Sequence, residues 1–139
     1  MIIHLAESDS RIAACYPVMQ LLRPHLQEDE FISRVRAQQS DGYRLALTEV
    51  DGVAVAVAGF RLAENLAWGR FLYVDDLVTG QEHRSRGIGS QMLDWLREYA
   101  RSRGCQQLHL DSGMQRKDAH RFYLREGMEK AGYHFAESL

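Results

Sequence analysis

Apolar and polar positions along this chain follow two periods, and the switches between them mark the elements. Residues 2–6 have the pattern of a short strand. From residue 9 the period lengthens. Ile12, Cys15, Tyr16, Met19 and Leu22 recur at three- and four-residue steps, which predicts a helix capped by Ser8 or Asp9 and running to about Leu26. Pro17 inside that run predicts a kink or break, and Pro24 ends it. Phe31, Ile32 and Val35 mark a second helix over 28–39, followed by a turn at Ser40-Asp41-Gly42. Residues 43–50, 53–62 and 68–79 read as three strands in series. Asp51-Gly52 joins the first two as a tight hairpin, and residues 63–66 turn the chain again. The unbroken small apolar run 53–58 predicts a strand covered on both faces.

The clearest helical stripe comes next. Ile88, Met92, Leu93, Leu96, Tyr99 and Ala100 share one face, against Ser90, Gln91, Asp94, Arg97 and Arg101, and Gly104 stops the run. Residues 105–111 read as a strand, with Leu108 and Leu110 apolar. Residues 119–125 read as a short helix capped by Asp118 and ended by Gly127, and 132–137 as a last strand. The order is βααβββαβαβ. A strand, a helix and a strand in series imply a right-handed crossover with parallel pairing. The prediction is one α/β domain over 1–139, of the α+β type. Its sheet is mixed, mostly antiparallel, of about six strands, with helices on both faces.

Composition narrows the function classes. The chain has 139 residues, 45% apolar and 26% charged, enough to bury a real core. A net charge of −2 gives no bias toward nucleic acid or an anionic membrane. No apolar run approaches the roughly 20 residues that span a bilayer. The opening residues lack a basic stretch followed by a long apolar one, so a strand rather than a signal peptide is expected there. Cys15 and Cys105 lie in no metal-ligand spacing and cannot make a disulfide framework, which predicts two reduced thiols and a cytoplasmic protein. His109 and Asp111 have strand spacing, but no further ligand accompanies them, so no metal site is expected.

One segment carries chemistry in its spacing. Arg84-Ser85-Arg86-Gly87-Ile88-Gly89-Ser90 lies between the strand ending at Thr79 and the best helix. A helix N-terminus has backbone N–H groups without intrahelical partners and the positive end of the dipole. Glycines let a bulky anion approach that backbone, and arginines add forked donors for phosphate oxygens. The segment reads as a pyrophosphate cradle; the plainer alternative is an ordinary helix start with solvated arginines. It is not a P-loop, which needs Gly-Lys-Ser/Thr after four residues. Nor is it a Rossmann fingerprint, because Met92 stands where a third small residue is required.

The remaining pattern, Arg-x-x-Gly-x-Gly, resembles the acyl-CoA loop of the GNAT superfamily of N-acetyltransferases, and the element order resembles theirs over nearly the whole chain. Residues 118–128, with Ala119, Phe122, Tyr123, Gly127 and Met128, resemble the family's closing helix. Residues 110–135 are similar to aminoalkylphosphonate N-acetyltransferases and related small-amine enzymes. The resemblance implies acetyl-CoA as co-substrate and direct attack of an amine on its thioester. It places the acetyl carbonyl against the backbone of Leu77, Val78 and Thr79. It places the pyrophosphate on Arg84, Ser85, Arg86, Gly87, Ile88, Gly89 and Ser90. Tyr123 matches the position of a tyrosine that protonates the departing thiolate and borders the cofactor, and the register of the motif favours that role over the plainer one of a core aromatic beside Phe122.

The base does not carry over from the family. Many relatives have a glutamate on the central strand where Tyr73 stands here. Asp75 would share a face with Tyr73 in a regular strand and Asp76 would point the other way, while a bulge would shift that parity. Either aspartate is a candidate for proton acceptor or ammonium ligand; either could instead be an end-of-strand acid paired with Arg70 or Arg84. His120, Ser112 and Gly113 are weaker site candidates. Arg116 occupies a position where relatives often have asparagine. Arg44, Arg116 and Arg121 are arginines that an anionic amine would want. The expected acceptor is a small primary amine, with neither nucleic acid nor membrane as partner. Relatives often dimerise, which leaves a homodimer open. Two other readings stay open: acetylation of a protein N-terminus or lysine, and a weakly catalytic acyl-CoA-binding sensor.

Overall fold

A computed structural model describes all of residues 1–139. Its elements are β1 (Ile3–Leu5), α1 (Asp9–Leu22), α2 (Glu28–Gln39), β2 (Tyr43–Val50), β3 (Val53–Asn65), β4 (Gly69–Thr79), α3 (Ile88–Ser102), β5 (Gln107–Leu110) and α4 (Lys117–Arg125). A single 3-10 turn, Gln81–His83, precedes the Gly loop. The strands form one mixed sheet in the order β1-β2-β3-β4-β5, with β1 to β4 pairing antiparallel in sequence order. The chain divides into two compact units, Met1–His109 and Leu110–Leu139.

The first unit is built on β3, whose residues from Ala54 to Phe60 are all buried, in accord with its small apolar run. One face of the sheet carries Tyr43, Leu45, Leu47, Val57 and Val78, which pack with Ile12, Cys15, Met19, Phe31 and Val35 of α1 and α2. The other face carries Phe60, set edge-on to Trp95 and Tyr99 of α3. Met92, Leu93 and Leu96 of α3 are fully buried, so the stripe legible in the sequence is the core face. Ser8 caps α1 by accepting from the Arg11 N–H, and the helix ends at Leu22, earlier than expected, while Pro17 stays inside it.

The second unit is α4 with its flanking segments. The helix starts at Lys117 with Arg116 at its N-cap and no side-chain cap, so Asp118 lies in the first turn instead of capping it. The Met128 N–H donates to the Tyr123 carbonyl, closing the helix past Gly127, whose φ of 91° only glycine adopts easily. Residues 132–137 form no strand: five strands are present, not about six. Tyr133 and Phe135 have the alternation of a strand, but both are exposed, and alternation alone supplies no partner for the backbone.

Candidate active site

The geometry of the first unit's site begins with a bulge. In the β3–β4 ladder Gly59 opposes Asp76 and Phe60 opposes Val74, so Asp75 is an extra residue with no partner of its own. A regular strand would put Asp76 on the side opposite Tyr73. The inserted residue brings Tyr73, Asp75 and Asp76 to one wall of a single cavity. The cavity holds about 380 Å³, and its other wall is formed by α2, with Phe31, Arg34 and Gln38, and by the connection that precedes it, with Arg23 and His25.

The aspartates are paired, but with neither Arg70 nor Arg84. Arg70 Nε donates to the Arg103 carbonyl and Arg84 Nε to the Thr79 carbonyl. Asp76 is held at both oxygens. Arg23 Nε donates to Oδ1 at 2.9 Å, and the Tyr43 hydroxyl donates to Oδ2 at 2.8 Å. Arg23 also donates from Nη2 to the Asp75 carbonyl at 2.9 Å, tying the end of α1 to the bulge itself. Asp75 has one donor on its carboxylate, Arg61 Nε on Oδ2 at 2.9 Å, and its Oδ1 has none. Arg61 is steadied in turn by donating to Gln38. Burial raises the Asp75 pKa above its ordinary value, with Arg61 opposing and the Asp76 charge adding to the rise. Burial, reinforced by the Asp76 carboxylate, pushes the Tyr43 hydroxyl well above 10.0, so it stays a donor.

These two carboxylates can do different things. Asp76, gripped from two sides, is fixed in place; Asp75, with a free oxygen and a raised pKa, can take a proton from a group in the cavity. Arg34 and His25 line the same cavity and have no hydrogen-bond or ion-pair partner within the chain. Arg44, which the sequence offered as an anion ligand, opposes Phe60 in the ladder and so belongs to the face away from the cavity. Sequence reasoning missed Arg23, Tyr43 and Arg61.

The Gly loop has the expected form. Gly87 is the N-cap of α3 in the left-handed region, φ 78°, and provides no side-chain cap to the exposed N–H groups that follow. Nothing lies within 4 Å of where its Cβ would be. Ser85 also has positive φ, 64°, and Arg84 and Arg86 are exposed. A left-handed turn running into an uncapped helix start, with two arginines beside it, fits a diphosphate. Downstream, β5 begins next to β4 with the Gln106 N–H on the Arg70 carbonyl and runs only four residues. β4 therefore runs on past it through Leu77, Val78 and Thr79. In the second unit, burial raises the Tyr123 pKa, with Arg116 opposing. His120 Nε2 bonds the Gly113 carbonyl at 2.7 Å, and the Ser112 hydroxyl is buried without a partner.

The profile of the acetyltransferase (GNAT) family matches residues 9–128. The chain belongs to that family. It is an acetyl-CoA-dependent N-acetyltransferase. It is 36% identical over 124 residues to an uncharacterised N-acetyltransferase, YhdJ, of Bacillus subtilis (strain 168), covering 87% of each chain. It is 32% identical over 126 residues to the aminoalkylphosphonate N-acetyltransferase of Salmonella typhimurium (strain LT2), covering 88% of this chain and 80% of that one. The aminoglycoside enzyme AAC(6')-Iy, solved with a CoA bisubstrate analogue, superposes with a TM-score of 0.84 over 99% of this GNAT chain and 97% of its own. It is 14% identical and so shows the fold alone. No helix of this GNAT protein is long and apolar enough to cross a membrane.

Proposed function

We propose that this enzyme acetylates the primary amine of a small molecule that also carries an anionic group. The observation that carries this reading is the charge balance of the cavity. Asp76 is matched by Arg23 and Asp75 by Arg61, which leaves Arg34 on the wall without a counter-ion, with His25 beside it. A surplus cation favours an amine bearing an acid over a polyamine. The volume of about 380 Å³ suits a small molecule rather than a peptide segment. The Salmonella relative, named for aminoalkylphosphonates, supports the same class.

Bound acetyl-CoA supplies the activated thioester. The chain's residues then divide the work. Arg84, Arg86 and the N–H groups from Gly87 to Ser90 hold the diphosphate. The backbone of Leu77, Val78 and Thr79 orients the acetyl carbonyl and stabilises the charge that develops on its oxygen. Asp75 takes a proton from the acceptor's ammonium so that its nitrogen can attack. As the new C–N bond forms and the C–S bond breaks, Tyr123 gives its phenolic proton to the departing sulfur. A raised pKa suits that donor, because it stays protonated across the working range.

The test is release of free CoA thiol across a panel of aminoalkylphosphonates, amino acids, polyamines and a lysine-bearing peptide. Turnover is expected with amines that carry an acid. Turnover with polyamines or peptide alone overturns the acceptor class, and saturable acetyl-CoA binding without any turnover would favour the sensor reading. With the preferred acceptor, Tyr123→Phe is expected to lower kcat by roughly tenfold to a hundredfold with acetyl-CoA affinity unchanged. An unchanged kcat would remove Tyr123 from the mechanism.

A further inference from the structure

We propose that Tyr43 is a positioning residue that divides the labour between the two aspartates: by donating to Asp76 in the gap left by Gly59, it keeps Asp76 as the anchor of the bulge and leaves Asp75 to handle the acceptor's proton. The inference rests on the acetyltransferase reading above and adds to it a residue 33 positions away in sequence from the group it holds.

The geometry is specific. Tyr43 stands on β2, two strands from Asp76, and reaches it across β3. It crosses at Gly59, where a Cβ would lie 2.5 Å from Asp76 Oδ2 and closer still to the Tyr43 hydroxyl. A side chain on β3 at that point would overlap both the Tyr43 hydroxyl and the Asp76 carboxylate. Tyr43 is 4% exposed, so its hydroxyl must have a partner, and Asp76 Oδ2 is that partner. Arg23 completes the arrangement from the end of α1. One of its nitrogens is on Asp76 Oδ1 and another on the Asp75 carbonyl, so the bulge is clamped through carboxylate and backbone together. With both Asp76 oxygens committed to donors, the oxygen left open to the cavity belongs to Asp75.

The charged and titratable groups facing this pair are Arg23 after α1, His25 in the connection to α2, Arg34 on α2, Tyr43 on β2, Arg61 on β3 and Tyr73 on β4. Behind Tyr43 the buried Cys15 thiol is pushed up to about 12, chiefly by burial, and stays protonated. Removing the Asp76 charge takes away a repulsion that raises Asp75, so Asp75 should then give up its proton at lower pH.

The experiment compares Tyr43→Phe, Asp76→Asn and the double variant. Each is checked for folding by thermal melting and for acetyl-CoA binding by calorimetry. Asp76→Asn is expected to keep turnover at about a tenth of the wild-type kcat, with the acidic limb of its kcat/KM profile moved to lower pH. Tyr43→Phe is expected to lose about fivefold, and the double variant to be no worse than Asp76→Asn alone, because both act through one bond. A double variant whose losses multiply, or an Asp76→Asn enzyme with no turnover, would overturn the division of roles. Carboxyl-carbon NMR titration of Asp75 decides the matter without turnover. A lower midpoint in Asp76→Asn supports the coupling and an unmoved one refutes it. A wild type that acetylates no amine would sink the proposed function instead, leaving the NMR comparison standing.

Discussion

Asp75→Asn is expected to lower kcat/KM for the acceptor amine by about 10²–10⁴-fold, the range for removing a well-placed proton acceptor. The substitution keeps the shape of the side chain and the possibility of a hydrogen bond from Arg61, so the bulge should persist. Acetyl-CoA binding should not change, because no residue of the Gly loop lines the cavity that Asp75 borders. The wild-type pH profile gives a second check. Burial raises Asp75, and the group must be deprotonated to act; activity is therefore lost as pH falls through a value above the ordinary 3.8. That limb should disappear from whatever rate remains in Asp75→Asn. A variant retaining most of the wild-type rate would mean that a water or the substrate itself carries the proton.

Gly59→Ala should be the most damaging small change to the sheet. The added methyl would lie 2.5 Å from both Asp76 Oδ2 and the Tyr43 ring carbon that bears the hydroxyl, and nearer still to the hydroxyl itself, so one of them must leave. The tyrosine cannot swing out without vacating its place in the core formed with Leu45, Val57 and Ile12. The cost combines overpacking with the loss of a buried hydrogen bond to a charged group, together about 3 kcal/mol, or a fall in Tm of about 10 °C. Thermal unfolding of the purified variant measures it. Pairing Gly59→Ala with Tyr43→Phe should recover only part of the loss, since the ring carbon beside the hydroxyl is also too close. A melting temperature within a degree or two of wild type would show that Tyr43 has another place to go.

The parts of this fold that were legible in the sequence are those that local periodicity controls. The stripe on α3, the Asp51-Gly52 hairpin and the small apolar run of β3 all predicted what packing then used. The failures have a different physical origin. Residues 132–137 have a strand's alternation, but a strand exists only where another backbone pairs with it. The split between Asp75 and Asp76 depends on one inserted residue in the ladder, which nothing in β4's own sequence announces. Arg23, Tyr43 and Arg61 reach the aspartates from 53, 33 and 14 positions away, and nothing in their own neighbourhoods signals it. One clue was present: a lone glycine in the middle of an otherwise apolar strand marks a bulge or a close approach, and Gly59 marks both.

The cavity's two walls are fastened in unlike ways. The strand wall, with Tyr73, Asp75 and Asp76, is part of a ladder that the whole sheet enforces. The opposite wall, with His25 in the α1–α2 connection and Arg34 and Gln38 on α2, is joined to it by side chains, and its direct grip on the strand backbone is the single arginine at the end of α1. Replacing His25 or Arg34 disturbs no ladder bond, and both are exposed. Descendants of this chain can therefore exchange one acceptor for another by drift on α2 and the connection before it while inheriting the reaction unaltered.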